Sequence, residues 1–231
     1  MEDSDLLSAQ RALRRQFFEG EAAVRWRPAR ELAAQLILYL DDPQMCWQLA
    51  TDWIRAKLDA DRADGGFGGY LTGGGAKDYV AIAESQRSSI GLPAVLGHHF
   101  DAREPSIRHA WCNAGLTPVI DVSQEVTMTP IARNTLQTMG TFAKLALPVS
   151  DGDRPVGLIC ADWNRVAPRW HADTCNELNF LARGVLGPVL GAAMDLAPAR
   201  KLSAAARDGD GMERLTPAEL RVARLVAQGL N

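Results

Sequence analysis

Cysteine and histidine are the side chains in this sequence that could carry covalent or metal chemistry. Cys46, Cys112, Cys160 and Cys175 lie far apart with no CxxC pair, so neither a disulfide framework nor a zinc ribbon is indicated. The thiols are expected to be reduced and mostly buried. His109 and Cys112 stand three apart with His98 and His99 nearby, which makes a haem or iron site conceivable. No regular ligand spacing accompanies them, and no metal is expected. Thiol redox catalysis needs a low-pKa thiolate and a resolving partner. Cys112 falls in an irregular stretch where a reactive thiol could sit, but nothing marks a second cysteine as its partner. GxSxG, Walker and HExxH motifs are absent. The expectation is therefore a non-enzyme with no catalytic residues and no cofactor, and cysteine redox chemistry is the alternative.

Composition bounds the remaining possibilities. With 231 residues, 47% of them hydrophobic, the chain can bury a full core and still carry a smaller appendage. A net charge of −3 argues against a surface that coats nucleic acid or an anionic membrane as a whole, so any DNA contact must be local. The first forty residues hold many charges and no signal-peptide core. The longest uncharged apolar run, Gly184 to Met194, is too short to span a bilayer. A cytoplasmic protein is expected.

The elements that must position any site follow from pattern. Asp3 to Phe18 and Ala29 to Leu40 read as amphipathic helices whose apolar stripes need a partner, either their own domain or a second subunit. Asp42 followed by Pro43 starts a helix that runs to about Leu58. Gly65, Gly66, Gly68 and Gly69 surround Phe67 at the start of the first strand, poor strand formers unless something must approach the backbone. A Gly73 to Gly75 turn leads to a strand at Asp78 to Glu84. The stretch from Gln86 to Leu116 is irregular, Thr117 to Val122 is a short strand, and Thr129 with Pro130 opens a helix that Gly140 stops. Thr141 to Asn164 reads as a hairpin in the middle of a buried sheet. Leu145, Leu147 and Val149 alternate with Lys144, Ala146 and Pro148, SDGDR turns, and Val156 to Trp163 returns. A helix from Ala172 to Leu196 carries Gly184, Gly187 and Gly191 as a small-residue stripe interrupted by Pro188, and Pro198 to Glu213 reads as a linker.

The hairpin LALPVSDGDRPVGLICADW and the order helix, strand, strand, irregular crossover, strand, helix, two strands, helix resemble a GAF sensory domain over residues 43–199. The resemblance implies an α/β (α+β) fold, an antiparallel sheet with helices on its faces, preceded by N-terminal helices over 1–42 and followed by a linker at 200–213. The last stretch, RLTPAELRVARLVAQGLN, has Thr216 as N-cap, Pro217 at the first helical position and Glu219 completing a capping box. Leu215, Thr216, Pro217, Glu219, Val222, Leu225, Gly229 and Leu230 resemble the opening helix of a LuxR-type helix-turn-helix domain, here residues 214–231. In such domains a later recognition helix reads the bases, so no DNA-binding residue is expected within this sequence, which stops at Asn231.

Together the two resemblances imply the ligand-sensing region of a bacterial LuxR-family transcription regulator, acting as a homodimer and reaching DNA through helices beyond this sequence. GAF pockets form between the sheet and the irregular crossover, which makes Phe67, Tyr70, Trp111, Asp121, Met139, Phe142 and Lys144 the ligand-binding candidates. Aromatic walls with a few polar groups suit a small organic effector, aromatic or carboxylated, with Lys144 available to an anion. The cyclic-nucleotide GAF signature does not align here. Bilin-binding GAF domains commonly follow the attachment cysteine with histidine, whereas Cys112 is followed by Asn113. The acyl-homoserine-lactone sensor of other LuxR proteins is the alternative of the same class. It ranks second because its tryptophan and tyrosine spacing is not matched around Trp47, Trp53, Tyr70 or Tyr79. A domain that only dimerises is a further alternative.

Overall fold

The computed structural model describes residues 2–21, 23–70, 75–113 and 115–207. Three helices come first: α1 (Glu2–Phe18), α2 (Arg27–Leu38) and α3 (Pro43–Leu58). Asp42 caps α3 as its side chain accepts from the Met45 N–H at 3.0 Å, and Pro43 occupies the first turn, where a missing N–H costs nothing. Strands β1 (Arg62–Tyr70) and β2 (Ala76–Gln86) follow; the turn expected at Gly73 to Gly75 lies almost wholly outside the described residues. The crossover then holds β3 (His99–Phe100), α4 (Pro105–Cys112), β4 (Thr117–Val119), a single 3₁₀ turn at Val122–Gln124 and α5 (Pro130–Thr138). The chain returns through β5 (Ala143–Asp151) and β6 (Arg154–Trp163) to α6 (Ala172–Leu181), a π-helical turn at Ala182–Leu186 and α7 (Gly187–Arg207).

The strands form one six-stranded sheet in the order β3-β2-β1-β6-β5-β4, with every neighbouring pair antiparallel. The β5–β6 hairpin thus supplies the interior of the sheet, since β6 pairs with both β1 and β5. Strand periodicity then assigns the two faces. Leu145, Leu147, Val149, Ile159 and Ala161 face the helices and merge with Trp47, Ile54, Leu178, Val185 and Leu190 in the main core. Lys144, Ala146, Leu158, Cys160 and Asp162 face the crossover side.

Glycines in β1 allow the central strands to close on one another. A Cβ on Gly66 would stand 1.7 Å from the Val80 carbonyl oxygen, and one on Gly157 would stand 2.0 Å from the Gly66 oxygen. Gly68, at φ +153°, lies under the Trp111 ring. The close approach that the glycine cluster demanded is thus met by neighbouring backbone and by an aromatic ring of the crossover.

The N-terminal helices pack on their own domain. Leu6, Leu13, Phe17, Leu32, Leu36 and Leu40 are buried in the same core as α3 and α7. The helical stretch Ala172–Ala197 is long and apolar enough to cross a membrane by length and composition, and 56% of its apolar window is buried inside the protein. Residues 198–207, read from sequence as the start of a linker, continue α7 as helix, and the rest of that linker lies outside the described residues. The helix-turn-helix stub at 214–231 lies outside them as well.

Candidate functional site

Charged residues in a central strand are costly to bury unless partners lie directly across the sheet. Here the antiparallel register supplies them. Arg62 and Lys144 each stand opposite Asp162, and Asp64 stands opposite Cys160. The side chains of Arg62, Asp162 and Asp64 are 0–1% exposed and that of Lys144 is 12% exposed.

The guanidinium of Arg62 is fully used. Nε and Nη2 donate to Asp162 Oδ2 at 3.1 and 2.5 Å, Nη1 donates to the carbonyls of Pro93 and Met139 at 2.8 and 3.0 Å, and Nη2 also donates to Thr141 Oγ1 at 2.6 Å. One arginine therefore ties β1 and β6 to the crossover at Pro93 and to the end of α5. Asp162 Oδ2 also accepts from Thr141 Oγ1 at 3.0 Å, while Oδ1 faces Lys144 Nζ at 2.8 Å. Lys144 Nζ lies 3.6 Å from Asp64 Oδ2, an ion pair beyond hydrogen-bond reach. Tyr79 donates its hydroxyl to Asp64 Oδ1 at 2.5 Å. The other oxygen of Asp64, Oδ2, is buried and accepts no hydrogen bond from the described residues.

Burial and charge push the titrations apart. Burial raises Asp64, and the lowering by Lys144 does not fully offset it. Burial would also raise Asp162, but Lys144 and Arg62 outweigh it and hold that carboxyl below its ordinary value. For Lys144, burial opposes the charge, yet Asp162 and Asp64 together raise it. Burial pushes the Cys160 thiol up to about 12 and Tyr79 well above the usual phenol range, with the neighbouring Asp64 raising both further.

Part of this cluster forms the polar floor of a partly open cavity of about 50 Å³ between the sheet and the α4–α5 crossover. Asp64, Tyr79, Lys144 and Cys160 line it from the strands, Ile107 and Ala110 from α4, and Val119, Met128 and Leu136 from the roof. Such a space holds water or a few ligand atoms as it stands, and anything larger needs the crossover to move outward.

The sequence-based candidates are scattered around this arrangement. Lys144 lines the cavity, though its charge is held by two aspartates rather than free for an anion. Met139 and Trp111 pack in the apolar cluster beside it. Tyr70 stacks edge-on to Trp111 at 5.8 Å and donates to the Ala102 carbonyl at 2.7 Å. Asp121 caps the 3₁₀ turn by accepting from the Ser123 N–H at 2.8 Å, and with Phe142 it lines a separate shallow hollow. Phe67 belongs to the opposite face, edge-on to Trp47 at 5.4 Å, because residues 62, 64 and 66 take the cavity side of β1 and the odd positions take the other. Among the described residues no three histidine, cysteine or carboxylate side chains gather as metal ligands.

Sequence reasoning missed Arg62, Asp64, Tyr79, Cys160 and Asp162. The available signal was a charge at alternate positions of β1 and in the otherwise apolar run of β6.

No family model and no curated protein matches the sequence. Solved structures do match. The phycocyanobilin-bound GAF domain of a cyanobacterial phytochrome is 19% identical, covers 76% of this chain and 95% of its own, and superposes with a TM-score of 0.53. A phycoerythrobilin-bound GAF domain from a cyanobacterial phytochrome gives 16%, 72%, 97% and 0.54. A bacteriophytochrome from the photosynthetic bacterium R. palustris gives 15%, 90%, 48% and 0.56. At these identities the likeness is one of fold, and the fold this chain adopts is that of GAF domains.

Proposed function

We propose that this chain is the sensory region of a cytoplasmic LuxR-type transcription regulator, in which a small organic effector enters between the sheet and the α4–α5 crossover. The observation that carries the reading is the partly open cavity with the buried Asp64 and the mostly buried Lys144 at its floor. Apolar walls with a few convergent polar groups are the usual composition of a small-molecule site. The GAF fold and the bilin-bound state named for two structural neighbours support it. The regulatory half rests on the LTPAELRVARLVAQGL resemblance, in residues outside those described.

An effector that moves the crossover pulls on Pro93 and Met139, and through Arg62 on β1 and β6. The β5–β6 hairpin then bears on α7, because Gly187 sits directly against the Ser150 carbonyl. Since α7 leads toward the C-terminus, a shift there would reorient DNA-binding modules in a homodimer. Burial disfavours Cys160 as a nucleophile, and the thiol-redox alternative rests on the exposed Cys112 alone.

Native mass spectrometry of freshly purified protein, beside a denatured spectrum, tests the proposal. The expected result is a dimer carrying a small-molecule adduct that is released on denaturation, or a bare dimer whose melting temperature rises with an effector. A monomer stabilised by no small molecule would overturn it. For the full-length regulator, an effector that leaves both dimer and operator affinity unchanged would remove the regulatory part, since a ligand without differential affinity shifts nothing.

A further inference from the structure

The polar groups around the cavity differ in how completely the protein already satisfies them. Ser106 Oγ donates to Glu104 Oε1 at 3.1 Å, Thr127 Oγ1 donates to Glu125 Oε1 at 2.7 Å, and Thr117 Oγ1 accepts from Asn113 Nδ2 at 3.2 Å. Arg62 has no donor left, Asp162 Oδ2 accepts from Arg62 and Thr141, and Asp162 Oδ1 is ion-paired with Lys144 Nζ at 2.8 Å without a hydrogen bond among the described residues. Asp64 differs from these in that it lines the cavity while its Oδ2 is buried and accepts no hydrogen bond from the described residues. The ammonium beside it, 3.6 Å away, is too far to donate to it. An acceptor and a donor therefore lie side by side at the cavity floor, each open to a third group.

Charge narrows what that group can be. Asp64 and Asp162 against Arg62 and Lys144 sum formally to zero, so the cluster has no net charge for a ligand to neutralise. A carboxylate placed here would meet Asp64, and an ammonium would meet Lys144, each as a like charge in a low-dielectric site. A neutral group that donates and accepts through adjacent atoms avoids both penalties.

From this geometry we infer that the cavity recognises the N–H/C=O edge of a lactam, cyclic imide or related N–H heterocycle. The ligand N–H donates to Asp64 Oδ2 and its carbonyl accepts from Lys144 Nζ. The ring lies among Phe100, Ile107, Val119, Leu136 and Leu158. Tyr79 is the positioning residue, since its hydrogen bond to Oδ1 turns Oδ2 toward the cavity. The inference deepens the sensory reading and rests on it.

The test is an NMR titration of the ¹⁵N-labelled chain with 2-pyrrolidinone, N-methyl-2-pyrrolidinone, acetate and methylammonium, following the Asp64, Lys144 and Cys160 amides. The expected result is saturable binding of 2-pyrrolidinone, with the N-methyl compound weaker by about tenfold or more because a buried acceptor is left unpaired. D64N should weaken 2-pyrrolidinone to a similar degree, and the comparison of the two lactams on the unmutated protein stands even if that variant fails to fold. Equal affinity for the two lactams overturns the inference. Binding of acetate or methylammonium at these amides without the lactam also overturns it while leaving the sensory reading in place. No shift from any of the four overturns it too, and a missing adduct and missing dimer in native mass spectrometry would remove the sensory reading separately.

Discussion

Asp162 holds two buried cations at once, which makes it the most consequential single side chain of the domain. Replacing it with alanine strands Arg62 and Lys144 without a counter-charge, so D162A should lose about 3–5 kcal/mol of stability in urea denaturation. The exposed pair Arg154–Asp195 is the internal control, and R154A should change stability by no more than about 1 kcal/mol. A D162A protein as stable as its parent would mean that the network is not formed. Thiol chemistry belongs to the same scale. Cys112 is exposed, Cys46 and Cys160 are buried, and burial holds the Cys160 thiol near 12. At pH 8 a soluble disulfide reagent should modify Cys112 promptly and reach Cys46 and Cys160 only as the protein unfolds. Rapid labelling of Cys160 in the folded protein would contradict its burial.

At the scale of elements, the glycine stripe of the C-terminal helix resolves into positions with different jobs. A Cβ on Gly187 would stand 1.9 Å from the Ser150 carbonyl oxygen, whereas one on Gly184 would meet only the Phe180 ring at 3.5 Å. G187A should therefore push α7 off the hairpin and cost about 1–3 kcal/mol, through a steric mechanism that no rotamer can relieve. G184A should be neutral or gain up to about 1 kcal/mol from helix propensity. Thermal melting of the two variants side by side distinguishes them, and equal effects would show that this helix does not contact the hairpin through Gly187. Local signals placed most elements correctly. Asp42–Pro43 and Thr129–Pro130 open α3 and α5, with Thr129 Oγ1 accepting from the Ala132 N–H at 3.2 Å, and Gly140 at φ +76° ends the second. Capping is legible because its donors and acceptors lie within four residues of one another.

At the scale of the whole molecule, the buried cluster sets how the fold responds to pH. Cys160, Tyr79 and Lys144 are all raised above their ordinary values of 9.0, 10.0 and 10.5. Above about pH 9 the unfolded chain releases these protons and the folded chain keeps them, so stability falls as pH rises, by up to about 1.4 kcal/mol per pH unit for each group. Asp162 acts on the acid side, where its depressed titration contributes stability that is lost as pH falls below the ordinary carboxylate range. Asp64, raised by burial, works in the opposite sense there. Melting temperatures between pH 7 and 11 check the alkaline limb, and a flat profile to pH 11 would reject it. The N-terminal helices are part of the same body. Removing residues 1–40 strips Phe17, Leu32 and Leu36 from the core, and the truncated chain should lose cooperative unfolding.

Local pattern was enough for the element order, the capped starts of α3 and α5 and the alternation of two faces along the β5–β6 hairpin. These depend on periodicity and capping, which act between near neighbours in the chain. The GAF resemblance, rather than periodicity, put Lys144 among the crossover-side candidates. That Lys144 answers to Asp162 and Asp64, that Phe67 turns away from the cavity and that Arg62 joins β6 to two loops emerges only in the folded sheet. The Arg62–Asp162 bond spans 100 residues. Its existence follows from antiparallel register across β1 and β6, and register is a property of the assembled sheet that no local pattern contains.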